Sequence, residues 1–112
     1  MFEQLTQHNL HHRVAEQAAP TLVFFTAPAC ASCRHLKTVL ARVAARQPGW
    51  RIFEVDAQRE SGLVNEFEVF HLPSMFLFSA GDYHAELSCE ANPTAIEQAI
   101  AAALRQPRRE AP

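Results

Sequence analysis

Cys30 and Cys33 stand three residues apart in Cys30-Ala31-Ser32-Cys33. Two thiols at this spacing on the first turn of a helix can reach each other and close a disulfide. The first sits where unpaired N–H groups and the positive end of a helix favour a thiolate, which is the attacking species. Cys30 is therefore the expected nucleophile. Cys33, one turn further in, is shielded and suited to resolving a mixed disulfide. The third cysteine, Cys89, has no partner at comparable spacing.

The flanking residues must build the mount for that pair. Leu22-Val23-Phe24-Phe25 reads as a buried strand, and Thr26-Ala27-Pro28-Ala29 as the loop after it. Beyond the cysteines, Leu36, Val39, Leu40 and Val43 recur at helical spacing, ending near Arg46 before Pro48-Gly49. Upstream, Met1 to Leu5 reads as a short edge strand. Thr6 is read as the N-cap of a helix over Gln7 to Ala18, with Leu10 and Val14 inward. Downstream, Trp50 to Asp56 reads as a strand, with Phe53 and Val55 on one face and Ile52 and Glu54 on the other. A short helix over Ser61 to Phe67, a loop at Phe70 to Pro73 and a strand at Met75 to Phe78 follow. Gly81 supplies a hairpin turn, and Tyr83, Ala85 and Leu87 alternate on one face, with Cys89 continuing the series. Asn92-Pro93 opens a last helix as N-cap and N1. Strands alternating with helices, then a strand pair, imply a mixed sheet with helices on both faces.

This order resembles the thioredoxin family. The resemblance rests on the strand, loop, C-x-x-C and helix of residues 22–40. It extends to Arg51-Ile-Phe-Glu-Val-Asp56, Leu72-Pro73-Ser74-Met-Phe-Leu-Phe78 and Gly81. It implies a three-layer α/β/α sandwich over residues 1–106, with 107–112 as a flexible tail. It implies that Cys30 attacks and Cys33 resolves, and that Pro73 is the cis-proline of a loop against the disulfide. Leu72 would pair its backbone with a substrate chain, with Ala29 also at the substrate surface. The activity implied is thiol–disulfide exchange on protein substrates, cycling the Cys30–Cys33 dithiol and disulfide, with the protein as the reductant. Thioredoxin reductase or glutathione would be the electron partner.

Three departures from the family pattern stand out. Ala29 stands where thioredoxins usually carry Trp, Ala31-Ser32 where they carry Gly-Pro, and Phe24 where most have a buried Asp. Glu54, on the neighbouring strand, is the acidic substitute. His35, close to the thiols, and Cys89 are further accessory candidates. Cys89 has two readings, an inert core thiol and a regulatory one that links two copies of the chain.

The composition sets bounds on all of this. A chain of 112 residues, 48% hydrophobic and 20% charged, is one domain with a single core. A formal net charge of −2 leaves no footprint for nucleic acid or an anionic membrane. Three cysteines do not make a stapled scaffold. No stretch is apolar enough for a signal peptide or a membrane span. The chain reads as a cytoplasmic monomer, and an exported protein shorn of its signal would read the same. His8, His11 and His12 share a helical face, but no fourth ligand accompanies them, so neither a metal nor a cofactor is expected. Two other functions stay open. One is a redox-sensing module that docks a partner with little turnover. The other is a metal or iron–sulfur carrier completed by a second copy of the chain or by external thiols.

Overall fold

The computed structural model describes residues 2–112. Its elements are β1 (Glu3–Gln4), α1 (Leu10–Ala15), β2 (Thr21–Thr26), α2 (Ala31–Arg46), β3 (Arg51–Asp56), α3 (Ser61–Glu66), β4 (Ser74–Ser79), β5 (Asp82–Leu87) and α4 (Pro93–Leu104). They form a five-stranded sheet of order β1-β3-β2-β4-β5. β1, β3 and β2 run parallel, and β4 and β5 are antiparallel additions.

All six residues of β2 are buried. A central strand covered on both faces needs such an apolar run rather than alternation. Val23 and Phe25 point to one core cluster, with Leu10 and Val14 of α1 and Leu63 of α3. Leu22 and Phe24 point to the other, with Leu36, Val39, Leu40 and Val43 of α2 and Ile96 and Ile100 of α4. The periodic apolar positions of α2 are thus its buried face. Asn92 caps α4 by accepting the Ala95 N–H at 2.8 Å, with Pro93 at the first helical turn.

Three local expectations are corrected. The first helix begins at Leu10 rather than Gln7 and ends at Ala15. Asn9 Oδ1 accepts the Thr6 N–H at 2.8 Å and Thr6 Oγ1 accepts the His8 N–H at 3.2 Å. These bonds close a turn over residues that helix would otherwise have used. His8 therefore lies outside the helix. His11 and His12 contact Glu66 and Glu16 separately. The edge strand is two residues long, and the Met1 end of that expectation falls outside the described residues. The alternation in β5 is also broken. Tyr83 pairs with Phe78 and Ala85 with Leu77, leaving His84 as the extra residue of a bulge. Tyr83 therefore packs on the first cluster while Leu87 and Cys89 belong to the second. The bulged His84 is buried and donates Nε2–H to the Ala103 carbonyl of α4 at 2.6 Å.

Residues 107–112 have no regular structure, but they run beside β5. The Arg109 N–H donates to the His84 carbonyl at 2.7 Å, and Arg108 pairs with Asp82 at 3.0 Å.

The β4–β5 turn places both Ala80 (φ 52°) and Gly81 (φ 87°) in the left-handed region. A Cβ on Gly81 would stand 2.9 Å from the Ala15 carbonyl oxygen. Backbone strain and a backbone clash then add. Gly81→Ala is expected to cost about 2 kcal/mol. Thermal unfolding should show a drop of about 8 °C. An unchanged midpoint would mean that the turn and α1 move apart at little cost.

Candidate active site

The loop after β2 ends at Ala29 in the left-handed region (φ 60°) and delivers Cys30 in an extended conformation at the N-cap of α2. Cys30 takes the role that an Asn or Ser side chain plays at other helix starts. Its Sγ accepts the Cys33 backbone N–H at 3.2 Å. Ser32 Oγ lies 3.5 Å from the same sulfur. A sulfur so placed receives an oriented N–H and the positive helix end, both of which favour the anion. The two cysteines form a disulfide, with Cα atoms 5.2 Å apart. Cys30 is partly exposed and Cys33 is 2% exposed. The two sulfurs therefore differ in access and in environment.

A groove of about 390 Å³ adjoins the pair. It is lined by Ser32, His35 and Leu36 of α2, by His71, Leu72, Pro73, Ser74 and Met75, and by Glu86, Leu87, Ser88, Cys89 and Ala91. The Leu72–Pro73 peptide is cis. No backbone partner engages the Leu72 N–H or carbonyl among the described residues. The loop is fixed instead by Ser74 Oγ, which donates to the His71 carbonyl at 2.7 Å. Leu72, Pro73, His35 and Cys89 thus come together on one wall system. Ala29 does not join them, because it lines a second cavity on the other side of the cysteine loop.

That second cavity, about 420 Å³, leads to a buried carboxylate. Glu54 is 3% exposed, on the face of β3 turned toward α2. It accepts Thr26 Oγ1–H at 2.6 Å and Gln4 Nε2–H at 2.8 Å, and pairs with Lys37 Nζ at 3.0 Å. Lys37 follows Cys33 by four residues, so it shares a helix face with the inner thiol. Glu54 stands in register with Phe24 on the adjacent strand. Phe24 is fully buried, with its ring edge-on to Phe2 at 5.3 Å between centroids. The buried acid absent at Phe24 is thus present one strand over, with a cation of its own. Lys37 and Thr26 were not singled out from the sequence. The i+4 spacing from Cys33 was the signal available for Lys37.

His35 is exposed, and its Nε2–H donates to the Ala91 carbonyl at 3.2 Å, tying α2 to the loop before α4. Cys89 is half-buried and packs against the second core cluster. Burial, and then the charge of Glu90, push its thiol up from the ordinary value. The protonated form is therefore favoured near neutrality, and a thiol attacks poorly. In the fully reduced protein at pH 7.5, iodoacetamide should label Cys30 well before Cys89, as read by peptide mass spectrometry over time. Equal rates would show that burial does not protect Cys89.

The comparisons with known proteins agree with this geometry. The thioredoxin family model matches residues 1–102. Mitochondrial thioredoxin 3 from Saccharomyces cerevisiae, in its oxidised form, superimposes with a TM-score of 0.80 at 22% identity, over 90% of this chain and 94% of that one. Thioredoxin from Trypanosoma brucei brucei gives 0.78 at 20% identity, over 95% and 93%. A structure from work on thiol resolution of the yeast mitochondrial 1-Cys peroxiredoxin via glutathione/thioredoxin systems gives 0.79 at 22%, over 90% and 94%. A search of curated protein sequences finds no match. At these identities the solved structures speak for the fold, while the family model spans nearly the whole chain, and with its Cys30–Cys33 disulfide at the head of α2 the chain belongs to the thioredoxin family.

Proposed function

We propose that the protein is a thiol–disulfide oxidoreductase that reduces disulfides in protein substrates. The observation that carries this reading is the asymmetry of the pair: Cys30 Sγ at the helix N-cap, accepting the Cys33 N–H, and Cys33 buried behind it. In the reduced protein the Cys30 thiolate attacks one sulfur of a substrate disulfide. A Cys30–substrate bond forms, the substrate S–S bond breaks, and one substrate thiolate leaves. Cys33 then loses its proton and attacks the Cys30 sulfur. The Cys30–Cys33 bond forms, and the second substrate thiolate leaves. Two electrons have passed to the substrate, whose thiolates take up two protons. A reductant outside this chain restores the starting state: the dithiol of a thioredoxin reductase, or two molecules of glutathione, which leave joined as one disulfide.

Substrate would lie in the groove over Leu72 and Pro73. The unpartnered Leu72 backbone there suits strand addition, which holds an extended chain without demanding its sequence. Glu54 would take the Cys33 proton, with Lys37 of the cysteine helix as its counter-charge, so the acid works from β3 instead of β2. We place the activity in a reducing compartment, the cytoplasm, with the protein working as a monomer. No helix among the described residues is long and apolar enough to cross a membrane.

Turnover of insulin disulfides, with dithiothreitol as the reductant, tests the reading. Acceleration over dithiothreitol alone is expected. A rate no greater than that of the reductant alone would favour instead a redox-sensing module that docks a partner.

A further inference from the structure

We infer that Phe70 is a docking residue of the substrate surface, holding an apolar side chain next to the cysteine of a protein disulfide. The inference rests on the oxidoreductase reading above and names what selects its substrates.

Phe70 is 88% exposed, the one large hydrophobic side chain so placed among the described residues. A single exposed phenyl is ordinary on a protein surface, and exposure alone says nothing. Its mount says more. Glu68 closes α3 in the left-handed region (φ 53°), a conformation that favours glycine. The Glu68 N–H reaches the Asn65 carbonyl at 3.3 Å and the Val69 N–H reaches the Val64 carbonyl at 3.0 Å. This turn lays Val69 against the first core cluster, and Leu72 packs on the same cluster. Between those two anchors Phe70 and His71 are left outside. The His71 carbonyl is itself held by Ser74 Oγ–H. The loop is fixed on both sides of the exposed ring, so little backbone freedom is lost when a partner covers it.

The position is continuous with the groove. His71, Leu72 and Pro73, the next residues along the chain, line it opposite Ser32 and His35 of the cysteine helix. On the other side of the disulfide, the residue before Cys30 is Ala29, which offers little area to a partner. Phe70 therefore carries the aromatic area available at this end of the site, and aromatic rings on rigid mounts are the usual anchors of protein recognition. A substrate strand lying along Leu72 would carry its own side chains past Phe70 a residue or two from the reacting sulfur. The occupant is an aliphatic or aromatic side chain of that strand.

Steady-state reduction of two probes tests this: insulin, a protein disulfide, and oxidised glutathione, too small to reach beyond the groove. Phe70→Ala should raise the insulin KM about tenfold, with kcat and the thermal midpoint kept. It should leave oxidised glutathione turnover unchanged. Phe70→Leu and Phe70→Tyr should recover most of the loss. An insulin KM unchanged in Phe70→Ala overturns the inference, and so does an equal loss on both probes. So too does a change in the sedimentation of the free protein, which would assign the ring to contact between copies. Wild-type protein that turns over neither probe overturns the oxidoreductase reading and this inference with it. Wild-type turnover with an unaffected Phe70→Ala overturns this inference alone.

Discussion

Cys30→Ser should abolish disulfide turnover, by on the order of 10⁴-fold or more, while Cys33→Ser should stop the cycle halfway with the substrate covalently attached to Cys30. The two losses differ because the two sulfurs do. A serine hydroxyl at position 30 keeps the bond to the Cys33 N–H but is not ionised near neutrality, so no attacking anion exists. In Cys33→Ser the helix start and its N–H are retained, so the first attack proceeds. What is lost is the buried group that would displace the substrate, so the mixed disulfide accumulates. Both variants should fold. Cys30 is partly exposed, and the Cys33 sulfur is replaced by an atom somewhat smaller and more polar. Mass spectrometry of each variant after exposure to native, disulfide-bonded insulin, without reductant, reads the outcome. An adduct on Cys33 in Cys30→Ser, with none on Cys30 in Cys33→Ser, would reverse the assignment.

The parts of this site that the sequence made legible are those whose signals are local. The C-x-x-C spacing, the apolar run of β2 and the i, i+3, i+4 pattern of α2 need only neighbouring residues to be read. The strand faces of β3 were legible for the same reason, and Phe53 and Val55 do lie opposite Glu54. What the sequence could not show is the burial of Glu54. A glutamate near the end of a strand is as readily solvated as covered. The difference is made by Lys37, Thr26 and Gln4, from three other elements. The slip in β5 was invisible for a related reason. Alternation assumes an unbroken ladder, and His84 breaks it because its ring finds the Ala103 carbonyl of a helix far along the chain. Thr6 does head a turn with its side chain, but the regular helix starts only at Leu10, a boundary that takes the hydrogen bonds themselves to place. Phe24 is the converse case. Its replacement of an acid looked like a simple loss, yet the ring fills the second core cluster against Phe2. Restoring Asp there would bury a second carboxylate in register with Glu54 and open a cavity, a poor way to test proton transfer.

Changes at Lys37 and Glu54 themselves make the sharper test, because structure and proton transfer should rank the two residues in opposite order. Glu54 is 3% exposed, whereas the Lys37 side chain is 33% exposed. Lys37→Met removes the counter-charge and leaves the carboxylate buried on two neutral donors, Thr26 and Gln4. Stranding one member of a buried pair costs about 3 kcal/mol. Glu54→Gln strands only Lys37, whose flexible stem reaches the water of the cavity, and the amide oxygen still accepts one of the two bonds. That change should cost about 1 kcal/mol. The double variant should be more stable than Lys37→Met alone, since the stranded charge is gone. For resolution of the mixed disulfide the order inverts. Glu54→Gln deletes the group that would take the Cys33 proton and should slow release of the second thiolate by on the order of a hundredfold. Lys37→Met keeps that acceptor and should slow it much less. Urea denaturation gives the first ranking, and stopped-flow release of thiol from a preformed Cys30 adduct gives the second. If Lys37→Met is worse in both measurements, the pair serves stability alone, and the Cys33 proton leaves by a route that does not involve Glu54.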